Sequence, residues 1–374
     1  MAGCPDAGCG GRHVQPWQAV PKPLRDPILR EVVAHRYRCL RCGRTFRLHP
    51  VGVSHDQTSA RLKGVAVMFS VLGMSYGAVA AALRALGWPL SKVAVSYAVQ
   101  AAGAAVAGLR REAVRRGGGR VLALGADLTS VRCGGRWLTV GVGVDAVAGP
   151  ALSIDLLPNG EAASLAAWIE ELAAALGAEL LVSDDADGFK TAADAAGLEH
   201  QVGKAHVGRN TEAWVAAVVP ALAADADGSL AAIGVAPGQA VADCRDLLRL
   251  MIERQPGAAA STTLATIHRR YLGAAKPPAG GAMSLAYRLR LFSLDRWNLW
   301  GRLTRYRTGE GPAGEALDGT NNACERAIGW WVKERYRTMR GYKRPESVLR
   351  VSRLIAAMGN ALGGPGFALA EVIA

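Results

Sequence analysis

A chain of 374 residues is too long for one small core, and with 50% hydrophobic residues it has material for two or three packed domains, which excludes global disorder. Its formal net charge of +13 points to a polyanionic partner. The charge is uneven: Asp145 to Asp246 is acidic, whereas the first sixty or so residues and Arg288 to Arg353 are basic, unlike the uniform excess of a ribosomal-type protein. No uninterrupted apolar stretch reaches the roughly 18 residues that span a bilayer, and the start of the chain, with Cys4, Pro5 and Asp6, has no signal-peptide core. The expectation is a cytoplasmic, nucleoid-associated protein without a membrane partner, its seven cysteines reduced.

Residues 1–54 hold two cysteine knuckles, Cys4-Pro-Asp-Ala-Gly-Cys9 and Cys39-Leu-Arg-Cys42, separated by a basic, strand-like spacer. In a reducing compartment that arrangement predicts a structural zinc ribbon, with Cys4, Cys9, Cys39 and Cys42 around one Zn²⁺. The first knuckle is wider than the usual spacing, so His13, His35 and His49 remain alternative ligands. Residues 55–116 turn helical in period. Ser75 is the expected N-cap of a helix that Gly87-Trp88-Pro89 stops, and Ser91 starts another running to Gln100. Helix, short glycine turn, helix is the layout that offers its second helix to the major groove, with Lys92, Ser96, Tyr97 and Gln100 as polar contacts. Any helical hairpin shares this pattern; the neighbouring Arg110, Arg111, Arg115 and Arg116 favour the DNA-binding reading.

Beyond Gly117–Gly119 the period changes again. Val121–Leu128, Arg136–Val144 and Pro150–Leu156 read as strands, joined by turns short enough for hairpins. A helix over Glu161–Leu176, a strand over Glu179–Ser183, a helix over Ala186–Ala196 and a short strand near His200–Val202 follow. Three antiparallel strands and then alternating helix and strand is the order of an RNase H-like fold, in which the first and fourth strands are neighbours. That order brings Asp127 beside Asp184, and Glu325, on a helix opened by Thr320-Asn-Asn-Ala-Cys-Glu325, is the third acid. Three carboxylates so placed can hold two hard divalent cations, the arrangement that clamps the oxygens of a phosphoryl transfer. Asp185 and Asp187 compete with Asp184. Asp184 directly follows the apolar strand, whereas its two neighbours suit the acidic decoration of a helix N-terminus.

The chain resembles prokaryotic insertion-sequence DDE transposases with an N-terminal zinc ribbon and helix-turn-helix. The resemblance lies in Gly125-Ala-Asp127, Val182-Ser-Asp184-Asp-Ala-Asp-Gly-Phe189, His200-Gln-Val-Gly-Lys-Ala-His206, Thr320-Asn-Asn-Ala-Cys-Glu325 and Lys333-Glu-Arg-Tyr-Arg-Thr-Met-Arg-Gly-Tyr342, in the family's order. It implies an α/β fold: an RNase H-like catalytic core with an all-helical insertion, plus small zinc-ribbon and helical DNA-binding domains. The expected boundaries are 1–54, 55–116, 120–210, 211–316 for the insertion, and 317–374 for the C-terminal helices of the core. Asp127, Asp184 and Glu325 inherit the role of binding two Mg²⁺, with Mn²⁺ able to substitute. Asp185, His206 and Arg326 become active-site neighbours, and Lys333, Arg335 and Arg337 become contacts to DNA. The implied partners are double-stranded transposon-end and target DNA, bound by a homodimer or higher assembly. The sequence departs from the family at Gly203, where relatives often carry a cysteine, which removes any metal or redox pairing with His206. The alternative is a domesticated or inactive descendant that only binds DNA. The run Arg288–Arg307 reads either as a contact to the transposon end or as a solvated amphipathic helix.

Overall fold

The computed structural model describes residues 3–106, 121–158, 161–253, 259–307, 319–333, 336 and 341–362. The chain is mixed α/β and divides into two compact units, one of residues 1–109, 131–138 and 329–374, the other of residues 110–130 and 139–328. The glycine linker Gly117–Gly119 and the arginines Arg110, Arg111, Arg115 and Arg116 lie outside the described residues.

The first unit begins with strands β1 (Val14–Pro23), β2 (Glu31–Cys39) and β3 (Thr45–Leu48), in an antiparallel sheet of that order. Tyr37 and Phe46 face each other across β2 and β3 and stack at 5.9 Å. Three helices follow: α1 (Ala60–Val71), α2 (Tyr76–Ala85) and α3 (Lys92–Ala105). Ser59, Ser75 and Ser91 cap them in the same way, each side chain accepting from the amide three residues on. Leu62, Ala66, Val79, Leu83, Leu90 and Val95 form their common core. Gly87 makes the α2–α3 turn at φ +83°, a region that disfavours any side chain. Helix α12 (Pro345–Leu362), whose numbering anticipates the helices below, packs on α3.

The second unit is built on a five-stranded mixed sheet, order β6-β5-β4-β7-β8: β4 (Ala123–Cys133), β5 (Arg136–Asp145), β6 (Ala151–Leu157), β7 (Leu180–Ser183) and β8 (Glu199–Val202). Strands β5 and β6 pair antiparallel, while β7 pairs parallel with both β4 and β8. The expected first strand, Val121–Leu128, is too short. Strand β4 runs on to Cys133, because Thr129, Val131 and Cys133 alternate buried with exposed Ser130 and Arg132. Asp127 therefore sits within a strand and not at its end.

One face of the sheet is covered by α4 (Ala162–Leu176) and α5 (Asp187–Ala195), which bury Leu124, Ala126, Leu152 and Leu181 against Trp168, Ile169, Leu172 and Phe189. After β8 the described regular structure is helical: α6 (Lys204–Ala223), α7 (Ser229–Ala232), α8 (Pro237–Ile252), α9 (Ala260–Arg270) and α10 (Leu285–Leu303). These share a core of their own that includes Val215, Leu222, Leu247, Met251, Leu264, Tyr271 and Leu289. Helix α6 starts seven residues before the expected insertion boundary at 211. A short helix α11 (Asn322–Ala327) then carries Glu325 and continues as a π-helical turn over Ile328–Lys333.

Candidate functional site

Two groups of potential metal ligands need separate descriptions, because they belong to different units. In the first unit, Cys39 closes β2 and Cys42 follows in a tight turn, while Cys4 and Cys9 lie on the loop that leads into β1. The sulfurs of Cys4 and Cys42 stand 3.8 Å apart and those of Cys9 and Cys39 3.7 Å apart. A tetrahedron with Zn–S bonds of about 2.3 Å has edges of about 3.8 Å, so four thiolates at these separations fit that ion. The backbone amide of Cys42 draws the Cys39 thiol down to about 7 against the effect of burial. The neighbouring Cys42 thiol and burial push the Cys9 thiol up to about 12. His13, His35 and His49 take no part in the group. His49 instead meets His55 edge-to-face at 5.0 Å.

In the second unit the alternation of side chains in β4 and β7 selects one face. Leu124 and Ala126 point to α4 and α5, so Gly125 and Asp127 point the other way; Leu181 likewise points to those helices, and Val182 does not. The parallel register pairs Gly125 with Val182. The paired ladder ends there; Asp127 lies two residues beyond Gly125 within β4, and Asp184 lies two residues beyond Val182, just past the end of β7. Helix α11 packs on this face at Gly125, where a Cβ atom would come within 2.9 Å of the Cys324 sulfur and 2.8 Å of Val144. A side chain at 125 would push away the helix that carries Glu325. Asn321, buried to 3% exposure, precedes that helix and donates its side-chain amide to the carbonyl of Ala126.

Each acid has a defined surrounding. Asp127 Oδ1 accepts the amide of Leu128 at 2.7 Å, and Asp184 Oδ1 accepts the amide of Ala186 at 3.0 Å. Glu325 Oε1 lies 3.6 Å from His206 Nε2. Burial raises the pKa of Asp127 to about 6; the charges of Asp184 and Glu325 add to the rise, and Leu128 and His206 oppose it. Burial, with the charges of Asp127 and Glu325, holds the Cys324 thiol protonated. Asp127 thus senses both other acids and His206. The carboxylates are nevertheless more widely spaced than the thiols, for among the described residues the four cysteines are the one group of potential ligands gathered within 4.8 Å.

The neighbouring acids separate clearly. Asp185 is nearly buried and held by Lys190 at 3.0 Å and by the buried Arg296 at 3.4 Å, so it is tied into ion pairs. Asp187 is exposed in the first turn of α5 and pairs with Lys190. Gly203 lies in a tight space. A Cβ there would stand 3.2 Å from the Ser183 carbonyl and 3.4 Å from Asn321, so Asn321 occupies the space a larger residue would need.

Among the proposed DNA contacts, Lys92 and Tyr97 are exposed on α3, Tyr97 to 72%, and Ser96 and Gln100 are half-buried. Arg326 and Lys333 are exposed, whereas Arg335 and Arg337 lie outside the described residues. The two tryptophans after Glu325 part company: Trp330 is exposed, and Trp331 packs against Gly359. Four arginines of the 288–307 run bond within the protein, whereas Arg288 is exposed. Arg290 bonds the carbonyls of Leu272 and Ala274, Arg296 pairs with Asp185, Arg302 with Asp194 and Arg305 with Glu199. These arginines hold the protein together, and nothing in their spacing announced it. No protein-family model matches the sequence, and no curated protein matches it.

Proposed function

We propose that the chain is a DDE transposase of the insertion-sequence type, with an RNase H-like core, that cuts and joins DNA at transposon ends. The observation that carries this reading is the parallel pairing of β4 with β7: Asp127 and Asp184 each lie two residues beyond the last paired residues, Gly125 and Val182, and α11, which carries Glu325, packs at Gly125. Carboxylates alone, in a protein with net charge +13, suit hard divalent cations and a polyanionic substrate.

In this reading Asp127, Asp184 and Glu325 hold two Mg²⁺ ions, for which Mn²⁺ can substitute. When bound, the ions supply Lewis acidity to the attacking and leaving oxygens of a phosphodiester. The chain's own part is to hold the acids. Asp127 must be ionised to take part, Glu325 is oriented through His206 and through the Asn321–Ala126 hydrogen bond, and Asp185 stays in its ion pairs. The four cysteines hold one Zn²⁺, which fixes the loop carrying Cys4 and Cys9 to the end of β2. Lys92, Ser96, Tyr97 and Gln100 present α3 to duplex DNA, with phosphate contacts that make binding fall steeply with salt. The protein acts on the nucleoid as a dimer or larger assembly on its DNA ends.

The test is cleavage of duplex DNA bearing the element's terminal sequences. Activity that needs Mg²⁺ or Mn²⁺ and is lost in Glu325→Gln, with end binding kept, supports the reading. Salt-sensitive end binding with no cleavage under any divalent cation would instead identify a DNA-binding descendant without catalysis.

A further inference from the structure

Asp184 is the middle of the segment Ser183-Asp184-Asp185, and both of its neighbours are held by one helix, α10. On one side, Arg296 of α10 is buried and reaches Asp185 at 3.4 Å. On the other, Arg302 reaches Ser183 through His200. The guanidinium of Arg302 lies 2.9 Å from His200 Nδ1, and His200 Nε2 lies 2.9 Å from the hydroxyl of the buried Ser183. Arg302 can only donate, so Nδ1 accepts and the proton sits on Nε2, which donates to Ser183. Ser183 spends its own proton on the backbone carbonyl of Asp184 at 3.0 Å. Every donor in this buried chain points the same way, from α10 to the Asp184 peptide. Burial and the Arg302 charge hold His200 neutral, its pKa lowered to about 3, which keeps the tautomer fixed.

The far end of the chain is anchored as well. Arg302 makes a two-pronged pair with Asp194 at 2.7 and 2.8 Å, and Gln201 of β8 bonds the carbonyl of Leu303 and the amide of Tyr306.

We propose that α10, the last helix of the all-helical segment, is a positioning clamp for Asp184, acting through Arg302, His200 and Ser183 on one side and through Arg296 and Asp185 on the other. The helical segment is then part of the machinery that sets the carboxylate geometry. This rests on the reading of Asp184 as a cation ligand, so the test separates the clamp from that reading.

The zinc-loaded full chain is compared with Ser183→Ala, Arg302→Met, their double variant and Arg302→Lys. Two quantities are measured: Mn²⁺ affinity from the signal of the free ion, and amide hydrogen exchange of peptides covering residues 180–190 and 136–145. The clamp predicts that Ser183→Ala and Arg302→Met each weaken Mn²⁺ by about tenfold, the usual scale for partners that orient a ligand. Exchange should quicken over 180–190 and stay unchanged over 136–145. The double variant should be no worse than the poorer single, since both break one chain, and Arg302→Lys should recover part of the affinity. Unchanged exchange over 180–190, additive losses, or faster exchange with undiminished Mn²⁺ affinity would each overturn the clamp. If Asp127→Asn binds Mn²⁺ as the natural chain does, the cation-site reading fails; exchange over 180–190 then still decides whether α10 holds this segment.

Discussion

The two ligand groups of this protein are assembled on opposite terms. Four thiols already stand at the spacing of a tetrahedral ion, 3.7 and 3.8 Å across two edges, whereas the three carboxylates do not come so close. The difference is electrostatic. Cys39 apart, whose pKa falls to about 7, these thiols stay neutral until an ion displaces their protons, so four can be packed together with little mutual repulsion. Carboxylates at neutral pH repel, and Asp127 carries the cost: burial first, and then the charges of Asp184 and Glu325, raise its pKa to about 6. A soft site can be built to its final shape, but a hard site of like charges has to be braced from behind. That is the service that Gly125, Asn321 and the Ser183–His200–Arg302 chain are placed to give.

The largest expected effect follows from removing the soft ion. With Zn²⁺ bound, the first 54 residues have few alternatives to the ribbon; the described sheet there is three strands with little core of its own. Site formation and folding should therefore be one process, with an apparent coupling of about 10 kcal/mol or more. Purified protein should hold one zinc per chain by elemental analysis. Chelation, or Cys39→Ser, should abolish the hydrogen-exchange protection of β1 and β2. Protection that survives in zinc-free protein would break the comparison on this side.

Next in size is the loss of a hard ligand. Asp127→Asn, Asp184→Asn and Glu325→Gln should each lower cleavage by about a thousandfold or more, and doubles should be scarcely worse than singles because the acids act as a unit. Asp185→Asn should behave differently. It removes ion pairs to Lys190 and Arg296, so the melting temperature should drop and cleavage should fall by about tenfold, the scale of a positioning residue, far short of the loss at the three acids. An inactive Asp185→Asn beside an active Asp184→Asn would reverse the assignment of the two neighbours.

These expectations rest on features that differed in how plainly the sequence wrote them. The knuckles, the serine caps and the apolar runs of the sheet are local patterns, and local patterns are what spacing reports. The pairing of β4 with β7 came from element order, and its register follows from the apolar runs Leu124–Ala126 and Leu180–Val182 lying side by side. The continuation of β4 past Asp127 was missed because Leu128-Thr-Ser-Val-Arg alternates burial without being uniformly apolar. The roles of Arg296, Arg302 and His200 were illegible for another reason. Each is defined by a partner 17 to 111 residues away, and no periodicity encodes such a distance.

The smallest effect is the most diagnostic, since it uses the protein with no divalent cation at the three acids. In the unfolded chain Asp127 ionises near 3.8, and in the folded chain near 6. Between those values the native state keeps a proton that the unfolded state has lost, so stability falls as pH rises from about 4 to about 6 and stays reduced above. The shift sets a ceiling of about 3 kcal/mol on that loss. Asp127→Asn retains an oxygen for the Leu128 amide but carries no charge. In chelator-treated, zinc-reloaded protein it should be more stable than the natural chain at pH 8, by about 1 to 2 kcal/mol, and equal to it near pH 4. Adding Mg²⁺ should reverse the order at pH 8, because binding to the native state stabilises it in proportion to the occupied site. Below about pH 6 the proton competes for Asp127, and Mg²⁺ affinity should weaken by up to about tenfold per pH unit. Denaturant melts of the two proteins at pH 4 and 8, with and without Mg²⁺, read all of this. Should Asp127→Asn prove no more stable than the natural chain at pH 8 without the ion, Asp127 does not carry the cost ascribed to it, and the contrast between a prebuilt soft site and a braced hard one is lost.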